Sequence, residues 1–399
     1  MKIRQFVVFS MLICLLISAV GCAAPAKPAA TPEPAAPAAT QAPTSAAPAA
    51  GSAGGMAKSY KELTNLAPAY VTEKGYLASR GPVEEVARTG QEPAPTKKAG
   101  RPLKVGFTPT AMNTHYDVVI AGAKTAVDEL GGAEVIDLII QAPSGQSGTA
   151  EQVNIVESWV NQGIDAIAIC SANDQAMTPI YKAAAEKGIP VFVFNTPVPM
   201  SVNPYYVSNV GYNQREAGRL DGLWLLAKYG DKPVNLVIIE GLPGVHNTER
   251  LAGFKEAIAS HDNIKIVASQ PGDWVRDRAQ TTMENILQTT TDIDAVWGMY
   301  DEMALGALAA IKSRGLLDKI DIIGYDNTPD ANQAIKRGEM AMTVDTAPKE
   351  MGYNLIKSIY KYVAEGEMVP KVVNSEVVVW DQSNIQNFDD NNYKFVPKQ

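Results

Sequence analysis

The sequence predicts an α/β protein made of two lobes, each a doubly wound parallel sheet. From Leu103 to Tyr325, short apolar runs alternate with segments of helical periodicity. The strand-like runs are apolar throughout, which is typical of parallel strands covered by helices on both faces. Eight strands are predicted over this length, close to the size of about ten strands that a single open sheet rarely exceeds. Two lobes are therefore favoured over one.

The first half of the alternation covers residues 103–194. Its first strand, Leu103–Phe107, is followed by a helix over Asp117–Leu130, which ends at Gly131-Gly132. The elements after this helix are, in order, strand Val135–Leu138, helix Ala150–Gln162, strand Ala166–Cys170, helix Gln175–Lys187 and strand Val191–Phe194.

The second half repeats the pattern from residue 214 onward. Its predicted elements are helix Gln214–Lys228, strand Asn235–Glu240, helix Thr248–Ser260, strand Ile264–Ser269, helix Arg276–Thr289, strand Ala295–Gly298, helix Glu302–Ser313 and strand Ile320–Tyr325.

Polar and aromatic side chains follow several of these strands, at the ends where open parallel sheets bind ligands. They are Asn113, His115 and Tyr116 after the first strand, then Asn195-Thr196, Tyr300-Asp301 and Tyr325-Asp326. Planar amide and carboxylate groups form paired hydrogen bonds to adjacent hydroxyls, and rings stack on the C–H faces of a sugar. These residue types therefore favour a neutral polyhydroxyl ligand.

The N-terminus has the pattern of an export signal. Lys2 and Arg4 precede an apolar stretch, Phe6–Val20, that is too short to cross a bilayer comfortably. The cysteine after Gly21 resembles the lipobox of bacterial lipoproteins, which predicts a signal peptide over residues 1–21 and lipidation of Cys22. We expect an exported protein, anchored by lipid to the cell membrane and facing the periplasm or the cell exterior.

Two segments separate this signal from the alternating region. Residues 22–55 are almost entirely Ala, Pro, Ser, Thr and Gly, and such a segment cannot bury enough apolar surface to fold. We expect a disordered tether there. Residues 56–102 contain recurrent Gly and Pro, with helical periodicity over Tyr60–Leu66 and Val83–Arg88. We interpret them as an accessory segment, partly packed and partly linker.

The composition limits the classes of binding partner and the roles of the cysteines. The formal net charge is -8 and the basic runs do not exceed Lys97-Lys98, which argues against nucleic acid and anionic membrane surfaces. Because Cys14 leaves with the signal and Cys22 is the lipid site, Cys170 is left alone in the folded part and no intramolecular disulfide can form. Its apolar context predicts a small buried side chain rather than a nucleophile.

Catalytic motifs are missing from the sequence. Its histidines, His115, His246 and His261, do not have the spacing of a metal site. There is no Cys-x-x-Cys pair, no phosphate-binding loop and no nucleophile elbow. We therefore expect no catalytic centre, metal or cofactor. A carbohydrate enzyme remains an alternative, and it would need two carboxylates about 5–10 Å apart in the cleft.

Four segments carry a resemblance to a known family. They are Glu249–Phe254, Ala268–Pro271, Asp301–Leu308 and Gly324–Asp330. They closely resemble segments of ribose-binding protein and its relatives, the periplasmic sugar-binding proteins of ABC importers. The resemblance runs from about residue 103 to about residue 379, in the right order and spacing. It implies a type I fold, with two α/β lobes joined by a three-segment hinge and a ligand in the cleft between them.

The resemblance also implies boundaries and site residues. The N-terminal lobe is expected to comprise residues 103–211 plus 347–376, and the C-terminal lobe residues 212–346 plus 377–399. The crossings are expected near Gly211, Thr346 and Glu376. The implied ligand-binding residues are Asn113, His115, Tyr116, Asn195, Thr196, Arg250, Trp274, Tyr300, Asp326 and Thr346.

The chain departs from the ribose-binding pattern at several of these positions. Asn195-Thr196 replaces an Asp-Arg pair, so a charged clamp is missing. Tyr300 replaces an Asn, Thr346 replaces a Gln, and His115 replaces a stacking ring. These departures favour a smaller or differently shaped polyol, such as a sugar alcohol, at least as much as ribose.

Structural roles compete with ligand binding for some of these residues. Asp301 and Asp326 could each cap a helix, and we expect this role for Asp301 and ligand contact for Asp326. Arg250 could form a surface ion pair, Trp274 could belong to the core, and Asn113 could serve a turn. We expect Arg250 and Asp326 on opposite sides of the ligand.

The sequence therefore predicts a monomeric, lipid-anchored binding protein that delivers a neutral monosaccharide or sugar alcohol to an ABC permease. One alternative is a sensory receptor of the same fold, of the autoinducer-2 or chemotaxis type. A DNA-binding regulator of the lac-repressor kind shares the fold, but the export signal and the lack of a helix-turn-helix before Leu103 argue against it.

Overall fold

Two sheets flanked by helices form the protein in the computed structural model, which describes residues 55–81, 86–171, 173–196 and 203–397. This arrangement confirms the predicted α/β fold with two lobes. The predicted signal peptide, Cys22 and the tether up to residue 54 lie outside the described residues. So do residues 82–85, which include the first three residues of the predicted helix Val83–Arg88, and the described residues 86–88 are not helical.

The strands are numbered in chain order. They are β1 (Tyr70–Val71), β2 (Leu77–Ser79), β3 (Leu103–Thr108), β4 (Ile136–Ile140), β5 (Ala166–Ile169), β6 (Val191–Phe194), β7 (Ser208–Gly211), β8 (Val234–Glu240), β9 (Ile264–Pro271), β10 (Ala295–Gly298), β11 (Asp321–Tyr325), β12 (Met342–Asp345), β13 (Val372–Asn374) and β14 (Val377–Asp381).

The α-helices are numbered in the same way. They are α1 (Thr114–Glu129), α2 (Thr149–Gln162), α3 (Asp174–Glu186), α4 (Gln214–Tyr229), α5 (Val245–Ile258), α6 (Arg276–Thr289), α7 (Asp301–Ser313), α8 (Pro329–Lys336) and α9 (Pro348–Tyr360). Within the described part of the chain, none of them is both long and apolar enough to span a membrane.

The first sheet has the strand order β13-β7-β6-β5-β3-β4, and all of its recorded pairings are parallel. Its strands β3, β5 and β6 are almost entirely buried. Burial on both faces explains why these strands are continuous apolar runs in the sequence.

The second sheet has the order β1-β2-β14-β12-β11-β10-β8-β9. Strands β8 to β12 pair in parallel, whereas β14 is antiparallel to both β12 and β2. The accessory segment thus contributes two strands to this sheet, and at Tyr60–Glu62 it forms a short 3-10 helix. The sequence pattern did not predict β1, β2, β7, β12, β13 or β14, which are short strands of two to five residues.

Two helices of the second lobe approach each other closely, which positions the first turns of α5. A Cβ atom at Gly218 of α4 would lie 2.1 Å from the carbonyl oxygen of Arg250. A Cβ atom at Gly253 of α5 would lie 1.7 Å from that of Arg215. Any side chain at either glycine would force the helices apart. This packing holds α5 and its Arg250 against α4.

Candidate functional site

A cleft of about 590 Å³, partly open to solvent, lies between the two lobes. Its walls follow the carboxyl ends of strands from both sheets, where a site in an open α/β fold is expected. The volume falls within the range of small-molecule pockets, roughly 300–1,000 Å³. The described residues that line it are Thr110, Asn113, His115, Tyr116, Gln146, Asn195, Leu242, Pro243, Gly244, His246, Arg250, Trp274, Tyr300 and Asp326.

Eight of the ten predicted ligand-binding residues are in this lining, and Thr196 and Thr346 are not. Thr196 lies behind the cleft, where its hydroxyl is 3.2 Å from Cys170 Sγ. Thr346 donates to Asp326 Oδ1 over 3.0 Å, so it contacts the carboxylate rather than the open space. Both threonines are fully buried. The structure gives them supporting positions.

Arg250 is the most extensively bonded side chain of the cleft and is only 4% exposed. Its guanidinium donates to Gln214 Oε1, to the carbonyl oxygen of Met299 and to the hydroxyl of Tyr212, at 2.9, 2.6 and 3.0 Å. The guanidinium carbon also lies 3.9 Å from the centre of the Tyr325 ring. These contacts fix the direction of the fork, as bidentate recognition of a ligand requires.

Asp326 stands beside Arg250, on the same lobe. Asp326 Oδ2 is 3.9 Å from Arg250 Nη1, and Oδ1 is 3.4 Å from His115 Nδ1. A sugar ring cannot fit between groups this close. The prediction that the two residues lie on opposite sides of the ligand is therefore wrong, because α5 and the end of β11 bring them to one wall. Together they present a donor and an acceptor next to each other.

The two histidines of the cleft belong to different lobes, His115 to α1 and His246 to α5. Burial lowers the pKa of His115, and it lowers that of His246 to about 4. Both rings are therefore neutral near pH 7, and each can donate through one nitrogen and accept through the other. His246 Nε2 donates to the carbonyl oxygen of Asn195 over 2.8 Å. Neither ring nitrogen of His115 has a hydrogen-bond partner among the described residues.

Hydroxyl and amide groups form a network on the first-lobe wall. The hydroxyl of Tyr116 accepts from Thr110 Oγ1 at 3.2 Å and from Asn195 Nδ2 at 3.3 Å. It also lies 3.1 Å from Cys170 Sγ. Burial raises the pKa of the Cys170 thiol to about 11, so the thiol stays protonated, as expected for a buried structural cysteine. Asn113 caps α1 by accepting from the backbone N–H of Tyr116.

Direct contacts join the lobes across the cleft. Thr114 Oγ1 and the hydroxyl of Tyr300 share a hydrogen bond of 2.9 Å, and Thr114 also donates to Glu302 Oε1 over 3.1 Å. The bond from His246 to Asn195 is a second crossing. The lobes therefore stand in a closed arrangement around the cleft.

Strained backbone is concentrated at the cleft. Asn195, Trp274 and Asp326 have φ angles of +53°, +64° and +102°, values that side-chain-bearing residues rarely adopt. Such conformations cost on the order of 1–3 kcal/mol each and cluster at ligand-binding sites. Here they aim an amide, an indole ring and a carboxylate into one space. The Trp274 ring also packs on Gly241, where a Cβ atom would lie 1.9 Å from it.

Asp301 has a different role from the predicted helix cap. The N-cap position of α7 is occupied by Tyr300, and Asp301 is fully buried. Asp301 Oδ1 accepts from the backbone N–H of Tyr325 and the hydroxyl of Thr343, both at 2.8 Å. Asp301 Oδ2 accepts from the N–H of Thr328 at 2.6 Å. The carboxyl therefore joins the end of β11, strand β12 and the N-cap of α8 next to Asp326, and the cap interpretation is wrong.

The sequence pattern missed several residues of the lining: Thr110, Gln146, Leu242, Pro243, Gly244 and His246. His246 could have been found, because it precedes Arg250 by four residues and so shares a helix face with it. Gln146 follows β4 in a loop without a recognisable motif. Among the described residues, no cluster of three or more His, Cys, Asp and Glu side chains could bind a metal ion.

The fold and the site together define a two-lobed binding protein with an interlobe cleft. Residues 105–368 match the family model described as "Periplasmic binding protein domain". Because this match covers well over half of the chain, the protein belongs to that family.

The chain is 31% identical over 277 residues to the galactofuranose-binding protein YtfQ of Escherichia coli (strain K12), covering 68% of this chain and 85% of that protein. It is 29% identical to the ribose import binding protein RbsB of Salmonella typhimurium, covering 65% and 84%. A solved solute-binding protein of an ABC transporter from Actinobacillus succinogenes 130z, with bound D-allose, superposes with a TM-score of 0.67. That structure is 28% identical, and the match covers 72% of this chain and all of that one. The chain is thus similar to sugar-binding components of ABC transporters.

Proposed function

We propose that this protein captures a neutral monosaccharide or sugar alcohol for an ABC importer. The observation that carries the proposal is the fixed Arg250–Asp326 pair on one wall of the cleft, with Trp274, Tyr300 and Tyr116 around the same space. A neighbouring donor and acceptor match two adjacent hydroxyls, and the rings match the C–H faces of a sugar. The relatives named above bind galactofuranose, ribose and D-allose by their descriptions, which supports this substrate class.

Charge favours a neutral ligand over a sugar acid. The positive charge of Arg250 lies against Asp326 and is already engaged by three neutral acceptors. An anionic ligand would lose its hydration without gaining a free cation, and it would meet the carboxylate of Asp326. Hydroxyl groups carry no such penalty.

A thermal-shift screen against pentoses, hexoses, tetritols and pentitols tests the proposed substrate class. A ligand that binds only the native state raises the melting temperature in proportion to the logarithm of its concentration above Kd. We expect at least one neutral polyol to do so and the corresponding aldonic acids to have little effect. A shift with amino acids or peptides, and with no polyol, would reject the substrate class.

The proposed mechanism is hinge closure. We propose an N-terminal lobe of residues 103–211 plus 347–376 and a C-terminal lobe of residues 212–346 plus 377–399. The crossings would lie near Gly211, Thr346 and Glu376. Ligand contacts on both lobes favour the closed arrangement over an open one. The permease would then recognise the closed form of a monomeric binding protein.

The cleft lining favours binding of the ligand over its turnover. Asp326 is the sole carboxylate among the described residues that line the cleft. Glycoside hydrolysis generally uses two carboxyl groups about 5–10 Å apart on either side of the scissile bond. This observation supports a binding role over the alternative of a carbohydrate enzyme.

Lipidation of Cys22 would anchor the protein to the membrane. We propose export through the signal at residues 1–21 and lipidation of Cys22, with residues 22–55 as the tether. The Cys22→Ser variant should leave the membrane fraction and appear in the soluble fraction, with unchanged affinity for its sugar, because the lipid is its anchor. Fractionation followed by immunoblotting measures this. Retention of the variant in membranes would contradict lipid anchoring and indicate an uncleaved apolar segment.

His115 gives a second prediction. Its ring is 4% exposed, and neither nitrogen is hydrogen-bonded within the described structure, which supports a ligand hydroxyl as its proposed partner. His115→Phe removes one ligand hydrogen bond, worth about 0.5–1.5 kcal/mol, and should weaken binding by roughly 2- to 13-fold. Thermal stability should be equal or higher, because a buried polar group without a partner is removed.

The matched control is His261→Phe, the same chemical change far from the cleft, which should leave affinity unchanged. Titration calorimetry with the best polyol from the screen compares the two variants. Equal affinities for both variants and the unchanged protein would remove His115 from the site.

A further inference from the structure

The segment before the family match connects the two lobes. We call residues 57–98 the strap; it is described except for residues 82–85. It lies outside the matched residues 105–368. Its first half packs on the second lobe and its second half on the first. The three connections that follow β7, β12 and β13 also pass between the lobes, so the strap is an additional one.

The first half of the strap is integrated into the second lobe. Strand β2 pairs with β14, and the N–H of Lys58 donates to the carbonyl oxygen of Ala227 at the end of α4. The hydroxyl of Tyr60 donates to Asp381 Oδ2 over 3.0 Å, and Arg219 donates to the carbonyl oxygen of Leu66 over 2.9 Å. Leu77, Ala78 and Ser79 are fully buried. This half therefore moves with the second lobe.

The second half is bound to the first lobe. Arg88 donates to the carbonyl oxygen of Val207 over 3.1 Å, just before β7, and also to that of Val369. The N–H groups of Thr96 and Lys98 donate to the carbonyl oxygens of Tyr362 and Val363, both at 2.9 Å. Lys98 also pairs with the buried carboxylate of Asp165 over 2.9 Å. This half therefore moves with the first lobe.

Between the two halves, the strap lies against the interlobe connections. A Cβ atom at Gly81 would lie 2.7 Å from Asn213 Cβ, on the connection that follows β7. Arg80 Nε is 3.7 Å from Glu376 Oε1, and the hydroxyl of Tyr70 donates to the same carboxylate. Glu376 lies on the connection between β13 and β14. The strap thus contacts two of the three other connections while the cleft is closed.

We propose that the strap is a fourth tie between the lobes, which limits opening of the cleft and favours the closed arrangement in the free protein. Only four residues lie between Gly81 and Val86, and this stretch of chain spans at most about 18 Å. Opening that moved the two packed halves apart beyond this reach would have to break contacts of the strap, such as those with Glu376. Apparent affinity scales with the fraction of protein in the binding-competent state, so the strap raises it.

The test relaxes the tie and leaves both packed halves in place. A flexible Gly/Ser linker of about ten residues, inserted after Gly81, lengthens the part of the strap that connects its two halves. The control carries the same linker after Gly315, an exposed glycine with no atom within 4 Å of its Cβ position. Both are made in the full chain with Cys22→Ser, Met112→Cys and Val275→Cys. The last two positions are 51% and 46% exposed and adjoin the cleft residues Asn113 and Trp274, which belong to different lobes. Cys170 is buried and will not react.

Spin labels at the two new cysteines report the distance across the cleft by pulsed electron resonance, without any ligand. We expect the insertion after Gly81 to raise the ratio of open to closed populations about three- to ten-fold over the parent chain. The insertion after Gly315 should leave the ratio unchanged. A distance distribution identical to that of the parent, or shifted to shorter distances, would overturn the proposal. Because no ligand is added, the result does not depend on the proposed sugar binding.

A second variant covers the case in which the insertion after Gly81 prevents folding. The double substitution Tyr70→Phe with Arg80→Ala keeps the strap intact and removes its polar contacts with Glu376. We expect a smaller shift in the same direction. An unchanged distribution in this folded variant would count against the strap as a tie.

Discussion

Replacing Asp326 by Asn is expected to weaken binding of the polyol by roughly 10- to 200-fold, because a charged hydrogen bond contributes about 1.5–3 kcal/mol. Asp326 Oδ1 already accepts from Thr346, and Oδ2 lies 3.9 Å from Arg250, so Oδ2 is available to a ligand hydroxyl. Asn retains the shape of the side chain and tolerates the positive φ of +102° better than Ala would. The variant should therefore fold normally.

Titration calorimetry measures the loss, and a thermal melt checks the fold. The matched control is Asp330→Asn, the same change on the 63% exposed side chain of Asp330, which pairs with Arg276 at the surface. Surface pairs contribute little, so this variant should bind normally. Normal binding by Asp326→Asn would show that the ligand lies elsewhere in the cleft, and the pocket would have to be reassigned.

Replacing Asp301 by Ala is expected to cause the largest loss of stability. The substitution leaves the backbone N–H groups of Tyr325 and Thr328 and the hydroxyl of Thr343 without their acceptor. Each buried donor without a partner costs about 1–3 kcal/mol, so the free energy of unfolding should fall by on the order of 3–5 kcal/mol, which is exceptional for one substitution. A simple helix cap would be worth only about 1 kcal/mol.

Urea unfolding followed by circular dichroism separates these two magnitudes. Asp318→Ala, on an exposed residue of the same lobe, serves as the control and should shift the free energy by less than about 0.5 kcal/mol. A loss of about 1 kcal/mol or less for Asp301→Ala would contradict the tying role. The close approach of Asp301 Oδ1 to Gly324, where a Cβ atom would lie 2.1 Å away, predicts that Gly324→Ala is destabilising for the same reason.

The sequence by itself determined the class of fold, because strands buried on both faces must be apolar runs and covering helices must be amphipathic. Both properties are local, so strands such as Val191–Phe194 and helices such as Arg276–Thr289 were predicted with the bounds that the structure has. The same local logic located most of the cleft, since Asn195, Tyr300 and Asp326 lie within two residues of the ends of strands. The order of strands and helices in the sequence therefore predicts which loops line the cleft.

Tertiary structure alone decided which residues meet. The roles of Asp301 and of the strap depend on partners far away in the chain, such as Thr343 for Asp301 and β14 for β2. Strands of two or three residues carry too little periodicity to be recognised, and their pairing is set by the edge that the rest of the sheet leaves available. Arg250 and Asp326 lie on one wall for a similar reason: the packing of α5 on α4, through Gly218 and Gly253, sets the direction of the guanidinium. Distances between elements follow from packing in three dimensions, which a one-dimensional pattern does not contain.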